Sequence, residues 1–235
     1  MKQFKIRASK GSVLLTAKGA VSKAETPRSY IKEWLISQVT GKEKQISSKY
    51  LRRGIESENL AIERVQKLYK TELKKNEEYF ENEFFTGTPD ILVDDEVIDV
   101  KCPWDAFTFP FFMKEPPIIY VVQLQIYMNL TGKRKAKLIY CLENGTNEQI
   151  DKLSWEKARE NGNSEPSIND WDEAEAELNY DHLDDYLRMK IFEIEYNEEI
   201  ISNLKEGVLY WREYIEMDLI PEIEAQKDNI VMNNI

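Results

Sequence analysis

The segment Gly87-Thr88-Pro89-Asp90-Ile91-Leu92-Val93-Asp94-Asp95-Glu96-Val97-Ile98-Asp99-Val100-Lys101 reads as two short strands joined by a turn. Ile91 to Val93 and Val97 to Val100 are rich in β-branched residues, and Asp94-Asp95 between them supplies turn chemistry. Side chains two apart on a strand share a face, so Asp99 and Lys101 point one way while Val100 points the other way, into a core. Asp90 begins the partner strand. Two carboxylates and an ammonium thus converge at the end of one hairpin. The oxygens there can bind a hard divalent cation such as Mg²⁺, and the lysine can orient a water or help deprotonate it. A solvated Asp–Lys pair on a surface hairpin would account for a Pro-Asp dipeptide alone. The whole spacing, Pro-Asp, a hairpin-length spacer and Asp-apolar-Lys, is much rarer and favours a reactive site.

Working outward from the hairpin, Thr26-Pro27 reads as a helix start with Thr26 as cap, and the helix ends before Gly41. Leu51, Ile55, Leu60, Ile62, Val65 and Leu68 give a second helix over about 47–73. Phe80 to Thr86 is a further extended piece. A Pro- and Phe-rich loop spans 103–117, and a helix over 119–130 stops at Thr131-Gly132. A strand follows over 137–142. Residues 143–180 read as a polar, irregular excursion, 189–196 as a strand, and 197 to about 220 as a long final helix, with a weakly specified tail after Pro221. This order predicts an α/β fold with a mixed central β-sheet flanked by helices.

Composition narrows the chemistry. The chain has 235 residues, 42% hydrophobic and 32% charged. No run nears the roughly 20 apolar residues of a membrane span, and Met1-Lys2-Gln3-Phe4-Lys5 lacks the apolar core of a signal peptide, so the expectation is a cytoplasmic protein with no membrane partner. Two cysteines, Cys102 and Cys141, do not suffice for a four-thiolate cluster, and one histidine, His182, leaves no His pair for a metal. Carboxylates, lysine and metal must carry any catalysis. The net charge of −11 is unevenly spread. Residues 1–140 hold 24 Lys and Arg against 18 Asp and Glu (+6), and residues 141–235 hold 8 against 25 (−17). The first part can present a basic face to phosphates, while the second is an acidic, solvated surface.

Thr88-Pro89-Asp90 followed by Ile98-Asp99-Val100-Lys101-Cys102-Pro103 resembles the motif of the PD-(D/E)XK nuclease superfamily, whose fold is the restriction-endonuclease-like core. The Lys-Cys-Pro ending is similar to that of its lambda-exonuclease, or YqaJ-like viral recombinase, family. Gly54-Ile55-Glu56-Ser57-Glu58-Asn59-Leu60-Ala61 resembles that family's glutamate helix, Gln123-Leu124-Gln125-Ile126-Tyr127 its glutamine helix, and Ile6-Arg7-Ala8-Ser9 its N-terminal element. The match covers about residues 4–142. The resemblance implies that Asp90, Asp99 and the Val100 carbonyl hold a metal. Lys101 would position the attacking water and Glu58 would serve a second metal, leaving Glu56 and Glu63 solvated. Gln123 would contact the water or the lysine. Gln125, about 200° further round a regular helix, would not share the site.

Arg7, Ser9 and Thr88 match positions near the family's 5′-phosphate pocket. Lys49, Arg52 and Arg53 either hold DNA phosphates or form a solvated helix face. Phe107, Phe109, Phe111 and Phe112 are expected to pack beneath their loop rather than stack on frayed bases.

The family reading divides the chain into a nuclease core with N-terminal helices, 1–142, and an acidic part, 143–235, that completes the same domain. It implies an Mg²⁺-dependent exonuclease, with Mn²⁺ able to substitute, working 5′-to-3′ on linear double-stranded DNA in phage-type recombination inside a bacterial cell. Its partners would be double-stranded DNA ends, a single-strand annealing protein and further copies of itself in a ring-like trimer. An endonuclease of the same superfamily, a non-catalytic DNA-binding or assembly module, and an acidic interaction protein acting through 143–220 stay open as alternatives.

Overall fold

The computed structural model describes residues 2–44, 49–70 and 73–225, and for 49–56 the backbone alone. The strands are β1 (Ile6–Arg7), β2 (Phe80–Glu81), β3 (Phe85–Gly87), β4 (Ile91–Val93), β5 (Glu96–Lys101), β6 (Lys135–Cys141) and β7 (Met189–Glu195). The helices are α1 (Glu25–Thr40), α2 (Lys49–Tyr69), α3 (Ile118–Thr131), α4 (Asn147–Glu160), α5 (Ile168–Glu177), the single turn α6 (Asp185–Arg188) and α7 (Glu198–Tyr214). A 3₁₀ helix, Ala8–Leu14, follows β1 directly.

The hairpin forms where the sequence places it. β4 runs antiparallel to β5 with Ile91 opposite Ile98 and Val93 opposite Glu96, and Asp94 takes the positive φ of the turn at 31°. β5 then pairs in parallel with β6, and β6 antiparallel with β7, so the sheet order is β4-β5-β6-β7. Parallel neighbours need a long crossover, which the 103–117 loop and α3 provide. A second, three-stranded sheet has the order β1-β3-β2, with β1 parallel to β3. The α/β fold expected from the order of elements, and the restriction-endonuclease-like core that the resemblance implies, are therefore the arrangement observed.

Strand alternation divides the core in two. Val97, Ala136, Leu138 and Tyr140 face α3, α7 and the N-terminal segment, while Ile98, Val100, Ile139 and Cys141 face Ala61, Ile62 and Val65 of α2. Asp99 and Lys101 share the parity of Val97 and so face α3. On the other face, Arg64 of α2 grips buried Glu143 just beyond β6 through Nε at 2.6 Å and Nη2 at 3.0 Å, which fixes the helix that carries Glu58. At the far side, Arg212 of α7 donates to the carbonyls of Phe4 and Glu83 and ties the two sheets' surroundings together.

Several boundaries differ from expectation. Residues 143–180 are not irregular: α4 and α5 form there, each opened by a reciprocal capping box, Thr146 with Gln149 and Ser167 with Asp170. Ala24, not Thr26, caps α1, and Pro27 lies within its first turn. The single extended piece expected over 80–86 is two strands, β2 and β3, separated by an Asn82 turn whose side chain accepts from the N–H groups of Phe84 and Phe85. The final helix passes Pro221 because a π turn over Ile215–Leu219, closed by Ile220 N–H on the Ile215 carbonyl, widens the backbone where proline can donate no hydrogen bond. Among the described residues no helix is long and apolar enough to cross a membrane.

Packing of this kind makes core truncation costly. Leu138→Ala, at a fully buried site between β5 and β7, should destabilise the fold by about 2–5 kcal/mol in urea titrations. Leu209→Ala, on the open face of α7, should change stability by no more than about 0.5 kcal/mol.

Candidate active site

Asp90 follows Pro89 at the mouth of β4, and backbone contacts fix it before any charge does. Asn76 N–H donates to its carbonyl at 2.7 Å, and the Asn76 side chain donates to the Pro89 carbonyl at 3.0 Å. Its carboxylate Oδ2 accepts the Val100 N–H at 2.9 Å, a bond across the hairpin that sets Asp90 beside the C-terminal end of β5. Asp99 is wholly buried. Its Oδ1 accepts from Gln123 Nε2 at 3.0 Å. Lys101 Nζ stands 2.6 Å from Asp99 Oδ2 as an ion pair, at an angle that leaves this oxygen without a directed hydrogen bond. The Lys101 ammonium also lies 5.1 Å from the centre of the Tyr120 ring.

Electrostatics follow from this crowding. Burial first, then the neighbouring Asp99 charge, push the Asp90 carboxyl up to about 7; Lys101 and the Val100 N–H act in the opposite sense, and Glu58 adds to the rise. Burial disfavours the Lys101 charge, but Asp99 and Asp90 outweigh it and hold the group above the ordinary lysine value. A lysine kept as ammonium donates hydrogen bonds and has no free lone pair, so it can orient water and offset negative charge but cannot serve as a base.

Glu58 is near enough to act on Asp90, yet its Oε2 is held by Lys75 Nζ at 2.8 Å. Among the described residues, no three Asp, Glu, His or Cys side chains form a group that could hold a metal as they stand. Mg²⁺ needs no such cage, since one or two carboxylates with waters and substrate phosphates commonly suffice. Asp90 and Asp99 fit that demand: one has a raised carboxyl, and the other keeps a buried oxygen with no directed hydrogen bond.

Arg7, Ser9 and Thr88 come together, as the N-terminal element and the residue after β3 meet. They line one cleft of about 440 Å³ with Gly87, Tyr127 and Thr86, and with Glu43 and Tyr79. The side chains of Lys49, Arg52 and Arg53 lie outside the described residues. Gln125 turns away from the site, donating to the Glu195 carbonyl at 2.7 Å and accepting from Asn197 N–H at 2.7 Å. The phenylalanine loop departs from expectation. Phe109 is packed, and Phe111 rests against it with ring centres 4.6 Å apart, but Phe107 and Phe112 are 99% and 95% exposed. The loop is braced from outside, by Gln149 on the Trp104 carbonyl and by Ala106 N–H on the Tyr180 hydroxyl, so these two rings have nothing beneath which to pack.

Three supporting residues escaped the sequence reading. Tyr127 stands one helical turn beyond Gln123, a spacing that marks a shared face and would have revealed it. Lys75 and Asn76 lie in a segment without periodicity, and only the backbone bridge of Lys75 to Ile91 brings them to the site.

Comparison with solved structures places this fold among exonucleases. The chain superposes on a phage-related exonuclease from Haemophilus somnus 129PT with a TM-score of 0.75 and 26% identity, over 94% of this chain and 97% of that one. It shares its fold with the alkaline exonuclease LHK-Exo of Laribacter hongkongensis, at a TM-score of 0.65 and 20% identity over 97% of this chain and 94% of that one. The same enzyme in complex with dAMP aligns at 0.64 and 21%, with the same coverage. No family model and no curated protein matches the chain. The fold is that of phage-related and alkaline exonucleases, and these neighbours support the resemblance to a nuclease family.

The raised Asp90 carboxyl has a consequence for stability. Its proton is bound more tightly in the folded state, so its contribution to folding is full below the ordinary value near 3.8 and is lost as pH rises through about 7. In EDTA at pH 8, Asp90→Asn should therefore be more stable than the parent by on the order of 2–4 kcal/mol, a gap that closes towards pH 4 in chemical denaturation.

Proposed function

We propose that this chain is an Mg²⁺-dependent deoxyribonuclease that degrades linear double-stranded DNA from its ends, in the 5′-to-3′ direction. The observation that carries the reading is the meeting of Asp90, Asp99 and Lys101 with Gln123 at one strand end, alongside a cleft lined by Arg7, Ser9 and Thr88. The near full-length likeness to a phage-related exonuclease supports it.

Asp90 and Asp99, with the Val100 carbonyl, would hold the cation, and Glu58 would join once released from Lys75. Bound there, Mg²⁺ or Mn²⁺ would polarise the scissile phosphate and lower the pKa of a bound water. The protein's own groups do the rest. Gln123 fixes the Asp99 carboxylate through Oδ1 and leaves Oδ2 to the Lys101 ammonium. The Lys101 ammonium holds the water and offsets charge that builds on the phosphorus-bound oxygens. Arg7 supplies positive charge, and the Ser9 and Thr88 hydroxyls supply donors, for a terminal 5′-phosphate. Terminal-phosphate recognition would make the enzyme count from ends. The resemblance extends the proposal to a ring-like trimer that passes its surviving strand to an annealing protein in phage-type recombination within a bacterial cytoplasm.

Linear duplex DNA labelled separately at each end, with closed circular DNA beside it, tests the reading in Mg²⁺ and in EDTA. Linear DNA should disappear in Mg²⁺ alone, and Asp99→Ala or Lys101→Ala should slow cleavage by about 100-fold or more. At limiting Mg²⁺ the rate should rise as pH rises through about 7, where Asp90 loses its proton. Unimpaired cutting by the two variants would remove the site assignment, and efficient cutting of circles would remove the exonuclease.

A further inference from the structure

Tyr127 belongs to both halves of the site. It stands four residues beyond Gln123 on α3, on the same helical face, and its ring forms a wall of the cleft that contains Arg7, Ser9 and Thr88. Gln123 has one NH₂ group with two hydrogens. That nitrogen is 3.0 Å from Asp99 Oδ1 and 3.1 Å from the Tyr127 hydroxyl, so one hydrogen reaches the carboxylate and the other the phenol oxygen. The Tyr127 oxygen is therefore an acceptor, and its own proton remains to be given. Among the described residues none takes it.

The ring has little freedom to turn away. Tyr127 is buried, and a Cβ on Gly87 would lie only 2.6 Å from its Cε1, so β3 approaches the ring as closely as glycine alone allows. Burial, and then the Asp99 charge, keep the phenol neutral well beyond its ordinary range, which preserves it as a donor.

We propose that Tyr127 is a positioning residue that couples a phosphate in the cleft to the orientation of Asp99. This rests on the reading of the cleft as a terminal-phosphate site. A phosphate oxygen accepts the Tyr127 proton, and the phenol oxygen becomes a stronger acceptor for Gln123 N–H. The amide is then held in the one orientation that also serves Asp99 Oδ1. An end bearing phosphate thereby reacts faster than one bearing hydroxyl through better alignment as well as through tighter binding.

Tyr127→Phe keeps the ring and removes only the oxygen, so thermal denaturation should show an intact fold. Cleavage is measured on linear duplexes ending in 5′-phosphate or 5′-hydroxyl, and binding of both is measured in EDTA. For the parent, kcat/KM should favour the phosphorylated end; in Tyr127→Phe that preference should fall by about tenfold, chiefly through kcat. In a Gln123→Ala background, Tyr127→Phe should cause no further loss of preference. Equal slowing on both ends, or a preference that survives the substitution, would overturn the coupling while leaving the nuclease reading intact. A parent that cleaves without any preference would overturn the cleft and the coupling together. If the parent does not cleave, the nuclease reading fails, and an EDTA binding preference for the phosphorylated duplex that Tyr127→Phe retains would overturn the coupling separately.

Discussion

Two carboxylates share a strand end with a single lysine, and most of the surrounding structure serves to keep them there. Asp90 and Asp99 repel each other, and burial raises the cost of each charge. The Lys101 ammonium offsets part of that cost, and hydrogen bonds from Val100 N–H and Gln123 offset more. What remains is a site whose unfavourable charge a divalent cation would relieve. The sheet behind it is correspondingly apolar: Val97, Ile98 and Val100 anchor β5 into both cores, so that Asp99 does not escape to solvent. Such a site gives up stability to hold its charges together.

The parts of the fold that were legible in the sequence are those in which local pattern and tertiary use agree. The hairpin from Asp90 to Lys101 carries strand periodicity, turn residues and the functional charges in fifteen positions, from Gly87 onward, and the structure follows it closely. That Gln123 and Gln125 point different ways was readable from helical geometry, while the choice of Gln123 as the one beside the carboxylates came from the family resemblance. The 143–180 segment was misread as irregular, although both of its capping boxes are visible in sequence. Its high polarity masked helices whose buried side is small: Ser154 and Ala158 on α4, and Ala174 on α5. Glu58 was placed near the site, but its partner Lys75 was hidden, since an ion pair across a loop leaves no spacing signal. The exposure of Phe107 and Phe112 was missed for a related reason. Composition says that a phenylalanine prefers burial, but not whether there is anything to bury it against.

The Glu58–Lys75 pair and the Asp99–Lys101 pair have the same form: each lysine sits against a carboxylate that the resemblance assigns to metal. Lys101 is strongly held by two carboxylates, whereas Lys75 is largely exposed and faces one. An incoming cation would therefore displace Lys75 at lower cost, and Lys101 would stay close to the reacting atoms. The two lysines are alike on paper and differ in how much solvent reaches them.

The brace between the acidic helices and the phenylalanine loop bears on how the chain tolerates change. Gln149 and Tyr180 hold the loop that leads from Lys101 to α3, and α3 carries Gln123. Residues 143–180 thus act as a buttress rather than an ornament. Shortening or loosening them would be felt 45 and 74 residues upstream in sequence, as play in the joint between a lysine and a glutamine that must stay in register.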